Sequence, residues 1–153
     1  MKSRSVGIAW KIMMIPDFVA LLFGFIFTFA PEIINSNGYE SFTGLSWSTF
    51  VSANPKAAEL LLLTAGRMGG IHILVMAILF FAVTLYGLRR GQSWSWYTLL
   101  ISFTLVWVPD AVAVYIIGQM PLAIGSIVFL LIAYIALGIS AKDILSKKIA
   151  IDE

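Results

Sequence analysis

Five ionisable side chains lie inside stretches of sequence that are otherwise apolar. They are Asp17, Glu59, Arg67, His72 and Asp110. A membrane helix retains such groups where a partner, an ion or a ligand offsets the cost of removing them from water. These five residues are therefore the candidate ligand-binding residues, and the helices around them must bring them together.

The apolar stretch Ala57–Arg90 carries three of these side chains and several glycines. One face of its helical wheel holds a carboxylate and small residues: Glu59, Gly66, Gly70, Ala77 and Thr84. Arg67 and His72 lie on the two flanks of that face. The spacing of Gly66 and Gly70 predicts that another helix approaches closely there.

Arg67 keeps its charge at any physiological pH, so inside a bundle it needs an acidic partner. Counting from the ends of each apolar stretch places Asp110 in the same outer half of the bundle as Arg67, and we expect these two to pair. Glu59 and Asp17 compete for the same role. Asp17 and Asp110 would accept a proton or a cation, and His72 would act as a hydrogen-bonding switch.

The sequence lacks the residues that several kinds of catalytic or metal site require. The chain has no cysteine, and it has no phosphate loop, HExxH pattern or nucleophile–base motif. His72 is the single histidine, too few for bis-histidine haem, and Met68 lies one turn away on the same side. The sequence therefore predicts no catalytic residue and no metal ligands. It indicates a carboxylate–histidine metal site only weakly, and it does not identify a cofactor.

Composition indicates an integral membrane protein. Of 153 residues, 60% are hydrophobic and 12% are charged, and the mean hydropathy is +0.95. A soluble domain of this length cannot bury so much apolar surface. The net charge of +2 is small, so the lipid bilayer, and not nucleic acid, is the expected partner.

The apolar stretches predict one all-α transmembrane domain, a four-helix bundle in up-down-up-down order. The spans cover about residues 8–30, 57–88, 95–118 and 122–140, with an outer loop over 31–54 and a tail over 142–153. The loop carries the aromatic residues Tyr39, Phe42, Trp47 and Phe50. It either lies in the lipid headgroups or caps a cavity between the helices.

The basic residues predict the orientation. Eight fall on one side: Lys2, Arg4, Lys11, Arg89, Arg90, Lys142, Lys147 and Lys148, against Lys56 on the other. Both termini are then cytoplasmic in a multi-pass protein of the cell membrane. Pro16-Asp17 in the first span and Pro109-Asp110 in the third are compatible with a two-helix repeat, although so short a match in apolar helices also arises by chance.

The apolar first span that ends in a proline, the segment GRMGGIH and the segment LRRGQSWSW after the second span resemble the small DoxX-like four-span membrane proteins. The resemblance covers the first two spans. Some members of that group are associated with quinone-linked sulfur oxidation, which makes a quinone one ligand that the resemblance implies. No catalytic set transfers residue by residue.

Three functions remain open from the sequence. The first is binding of a small ligand or a proton, without covalent chemistry, in a polar pocket in the outer half of the bundle. The second is an accessory or structural subunit that packs against a larger membrane complex or against its own copy. The third is a component of a quinone-linked membrane oxidoreductase. Enzymatic activity is the less expected outcome.

Overall fold

The computed structural model describes residues 3–116 and 118–149, except for the side chains of residues 34, 42 and 147–149. Lys2 and the last four residues of the predicted tail lie outside this part of the chain. The described ranges form helices and contain no strand, which confirms the all-α prediction. The helices are α1 (Arg4–Phe29), α2 (Pro31–Thr43), α3 (Trp47–Ala53), α4 (Pro55–Arg90), α5 (Ser93–Ile116) and α6 (Met120–Ile149).

Four of these helices are long and apolar enough to cross a membrane, as the sequence predicts. They are α1, α4, α5 and α6, whose most apolar windows have mean hydropathies of 2.1, 2.4, 1.9 and 2.6. The shortest, α5, has 24 residues; at about 1.5 Å per residue it exceeds a hydrocarbon layer of about 30 Å. The order of the spans relative to a membrane, and the side on which the termini lie, stay predictions.

The connection predicted as a loop over 31–54 is two short helices. Pro31 occupies the first turn of α2, where its missing N–H costs nothing. Gly44 ends α2 in the left-handed region at φ 70°, with its N–H bonded to the carbonyl of Glu40. Pro55 starts α4 in the same way that Pro31 starts α2. The polar composition of this segment hid these helix signals.

The helices α1 and α4 approach each other at backbone distance. A Cβ atom on Gly70 would lie 2.4 Å from the backbone nitrogen of Thr28, and one on Gly24 would lie 2.6 Å from that of Leu74. Any larger residue at either position must separate the helices. At Gly70, the small-residue face predicted for this stretch therefore packs against α1.

The helices α5 and α6 pack through side chains instead. Trp96 donates from Nε1 to the carbonyl of Leu137 at 2.9 Å, and the hydroxyls of Thr104 and Tyr134 lie 2.7 Å apart. α6 also packs along α1. The apolar core lies between the four long helices and includes the fully enclosed Phe103.

Two parts of α4 are π-helical, at Leu62–Met68 and Val83–Gly87. A π-helical turn hydrogen-bonds residue i to residue i+5, so it shifts the faces that follow relative to an ideal α-helix. The first part carries Arg67 and the second carries Thr84. Such segments are rare and frequently occur at functional sites, so Arg67 and Thr84 are candidate site residues.

Candidate functional site

A cavity of about 310 Å³ lies where α2, α3 and the beginning of α4 meet. Three charged side chains line it, one from α2 and two from α4: Glu32, Glu59 and Arg67. Its remaining walls are apolar and include Val51 of α3 and Leu62 of α4. Two of the five residues predicted from the sequence, Glu59 and Arg67, therefore share one site.

Gly66 positions this cavity by allowing α2 to pack on the π-helical turn beside Arg67. Gly66 is buried, and a Cβ atom there would lie 2.4 Å from Cβ of Pro31 and 2.7 Å from Nδ2 of Asn35. The side chain of Asn35 is held by its bond to the carbonyl of Pro31, at 2.9 Å. The missing side chain at Gly66 thus places Glu32, next to Pro31, at the cavity that Arg67 lines.

Aromatic packing holds α3 against α2. The rings of Tyr39 and Phe50 stack with their centroids 4.6 Å apart, and both rings contact buried Trp47 at 5.5 Å. Glu40 accepts the backbone N–H of Trp47 at 2.9 Å, and Glu32 accepts its indole N–H at 3.4 Å. This cluster fixes α3, and with it Val51, as one wall of the cavity.

The three charged groups of the cavity do not neutralise one another. Glu32, Glu59 and Arg67 are exposed, and none of them forms an ion pair with any residue that the structure describes. Their formal charges sum to −1 at neutral pH, from two carboxylates and one guanidinium. The cavity can therefore offer both an anion-binding and a cation-binding group to one ligand.

Asp110, the partner expected for Arg67, lies elsewhere. Its Oδ2 accepts the hydroxyl of buried Ser126 at 2.6 Å, a bond that joins α5 to α6. The π-helical turn with Arg67 packs instead on α1 and α2. The structure does not bring Arg67 and Asp110 together, because α5 packs along α6 and against the opposite end of α4.

His72 is exposed and hydrogen-bonded within its own helix. Its Nδ1 lies 2.7 Å from the carbonyl oxygen of Met68. Because a carbonyl can only accept, Nδ1 is the donor and carries a proton. His72 is not among the residues that line the cavity.

Asp17 is fully buried between α1 and α4, with 0% of its surface exposed. Its carboxyl group faces the hydroxyl of Thr84, which is also 0% exposed. Neither carboxyl oxygen of Asp17 has hydrogen-bond geometry with any described residue, and the hydroxyl oxygen of Thr84 has none either. Asp17 thus belongs to a second, enclosed polar site.

Sequence reasoning missed Glu32 and the meeting of Asp17 with Thr84. Glu32 lies in the segment predicted as a loop, and its only signal was its place after Pro31 in the first turn of a helix. Within residues 3–116 and 118–149 no group of three or more His, Cys, Asp or Glu residues could hold a metal ion. Ligand binding by the five predicted residues stays a prediction.

Comparison with protein-family models, with curated proteins and with solved structures finds no match for this chain. The resemblance to DoxX-like proteins stays a prediction. The functional inference therefore depends on the geometry of the cavity itself.

Proposed function

We propose that the chain is a membrane protein that binds a small amphipathic ligand in the cavity between α2, α3 and the beginning of α4. The ligand carries an anionic group and a positively charged group on an apolar body, and it is bound without covalent chemistry. One observation carries the proposal: Glu32, Glu59 and Arg67 line a single cavity, and none of them forms an ion pair with a residue that the structure describes.

The cavity has the size of a binding site for a small molecule. Its volume of about 310 Å³ lies at the lower end of the range of about 300–1,000 Å³ that is typical of ligand pockets. That volume accommodates a metabolite-sized molecule or the headgroup of a lipid. These two sources share the same chemistry and differ in the chain that follows the headgroup.

The charged groups select the polar part of the ligand. The guanidinium of Arg67 presents a planar fork of donors that matches a carboxylate or phosphate. Glu32 and Glu59 accept hydrogen bonds from an ammonium group. Because the lining has a formal charge of −1, a ligand with both groups is better matched than a simple anion.

The apolar walls select the rest of the ligand. Val51, Ala58 and Leu62 line the same cavity as the charges, and burying apolar surface contributes about 25 cal/mol per Å². A fully polar zwitterion would leave these walls facing water. An amphipathic ligand therefore uses both kinds of lining.

Mass spectrometry of small molecules retained through gentle purification tests the proposal. We expect an amphipathic compound to co-purify with the wild type and to fall at least tenfold in Arg67→Met, because a charge-assisted hydrogen bond contributes about 1.5–3 kcal/mol. Arg90→Met is the matched control, since Arg90 is exposed and lies near Tyr86 outside the cavity.

Glu59→Gln separates the proposed ligand from a simple anion. Loss of a carboxylate weakens a ligand that carries an ammonium group and strengthens one that is purely anionic. Equal recovery of the compound from wild type and Arg67→Met would overturn the proposal. Recovery of no compound, together with co-purification of a larger membrane protein, would also overturn it and favour the accessory-subunit function.

A further inference from the structure

We propose that Asp17 and Thr84 form a second site that binds a monovalent metal cation of the sodium type. This site is separate from the cavity, because neither residue lines it. It lies where α1 packs on the second π-helical turn of α4, Val83–Gly87. The site consists of side-chain oxygens from two helices that face each other in an enclosed position.

The first reason to infer a bound cation is that the buried carboxyl of Asp17 has no charged partner in the part of the chain that the structure describes. A buried carboxylate without a compensating charge or hydrogen bond destabilises the folded protein. Among the described residues, no lysine, arginine or histidine forms an ion pair with Asp17. The carboxyl is nevertheless enclosed completely, so a bound cation accounts for what the protein side chains leave unpaired.

The hydroxyl of Thr84 is the second reason, because other helical threonines of this chain behave differently. Thr28 bonds back to the carbonyl of Gly24 at 2.7 Å, and Thr104 bonds back to that of Leu100 at 2.7 Å. Thr84 makes no such bond. Its hydroxyl faces Asp17 instead, which leaves an oxygen lone pair available to a cation.

Pro16 leaves a further oxygen without its usual partner, the backbone carbonyl oxygen of Ile12. Pro16 is buried inside α1, and because proline has no N–H, the carbonyl of Ile12 lacks its usual helical donor. Helical side chains lean toward the N-terminus, so the carboxyl of Asp17 extends over the preceding turn. The backbone near Asp17 therefore has an unused acceptor of the kind that hard cations bind.

Charge and ligand type select the cation. All the available groups are oxygens, which favour hard cations over thiophilic metals. One carboxylate neutralises one positive charge, whereas a divalent ion would leave an uncompensated charge in an enclosed site. A proton on Asp17 would let the carboxyl donate to the Thr84 hydroxyl without a metal, and stability that depends on pH and not on sodium is the signature of that alternative.

Thermal unfolding of the purified full-length protein, in NaCl or in choline chloride at equal ionic strength, tests the proposal. A cation that binds only the folded state raises the midpoint by mass action, and we expect a rise of about 4 °C or more that grows with the logarithm of the sodium concentration. Thr84→Val removes the hydroxyl at nearly constant volume and should abolish the rise. Asp17→Asn should abolish it as well.

Thr98→Val is the matched control, because the hydroxyl of Thr98 bonds back to the carbonyl of Trp94 at 2.9 Å. Thr98→Val and Arg67→Met should keep the full sodium effect, which separates this site from the ligand cavity. If Asp17→Asn fails to fold, Thr84→Val still decides the outcome. A sodium effect that persists in Thr84→Val, or a midpoint that depends on pH and not on sodium, would overturn the proposal.

Discussion

The two π-helical turns of α4 share a backbone geometry and differ in what surrounds them. Leu62–Met68 lies under α2 and presents exposed Arg67 to a cavity. Val83–Gly87 lies against α1 and α5 and presents Thr84 to the buried carboxyl of Asp17. The same helical irregularity thus displays a polar side chain in both places, and the packing around it decides whether that side chain lines an open cavity or is enclosed.

The packing differs because the glycines differ in what they contact. Gly66 touches the side chains of Pro31 and Asn35, so α2 rests on the first turn without closing the space beside it. Gly24 and Gly70 touch backbone atoms of the facing helix. Backbone contact brings α1 and α4 close together, and Asp17 is enclosed between them.

The largest loss of stability is expected where the backbones of α1 and α4 are in contact. Gly70→Leu places a side chain against the nitrogen of Thr28, which cannot move without its helix, and should cost about 3 kcal/mol. Thermal or denaturant unfolding measures this loss. Gly69→Leu is the control, because a Cβ atom at Gly69 meets nothing within 4 Å. The exposed Leu79→Ala should also cost less than Gly70→Leu, and equal costs would contradict the close approach.

A smaller effect is expected at the contact that shapes the open site. Gly66→Ala brings a methyl group against Pro31 and Asn35, whose side chains can yield partly, and should cost about 1–2 kcal/mol. It should also reduce retention of the ligand, since α2 carries Glu32. Unfolding and mass spectrometry measure the two effects, with Gly69→Ala as the control. Unchanged ligand retention would show that α2 does not shape the cavity.

The smallest effects are expected at Asp110. Ser126→Ala should cost about 1 kcal/mol, a typical single hydrogen bond. Combined with Asp110→Asn it should be less harmful than the sum of the two, because the residues contact each other. Arg67→Met and Asp110→Asn should instead add within about 0.5 kcal/mol. Unfolding of the double variants measures both, and strong coupling of Arg67 to Asp110 would restore the pairing expected from sequence.

The sequence predicts the four long apolar helices, because apolar content and length decide whether a helix can cross a bilayer. It also predicts the packing face of α4, since Gly66 and Gly70 have few other uses in so apolar a stretch. Both results depend on local composition and on an approximate helical period. The two π-helical turns displace the positions of the faces along α4 but leave the small-residue face recognisable.

The sequence does not predict which polar groups meet. Depth in the bundle was the only basis for pairing Asp110 with Arg67. The contact of Asp110 is set instead by the packing of α5 along α6, where the hydroxyl of buried Ser126 reaches it. Glu32 was missed because the proline and glycine signals of α2 occur in a segment of polar residues. Such contacts depend on tertiary packing, which the local pattern of one sequence does not encode.

Cysteine accessibility tests the difference between the two π-helical turns most directly, since the chain has no cysteine of its own. Leu62→Cys lies in the lining of the cavity and Thr84→Cys lies in the enclosed site. With a water-soluble thiol reagent on the purified folded protein, Leu62→Cys should react readily and Thr84→Cys should react only after unfolding. Equal labelling of the two folded variants would contradict an open site at the first turn and a closed site at the second.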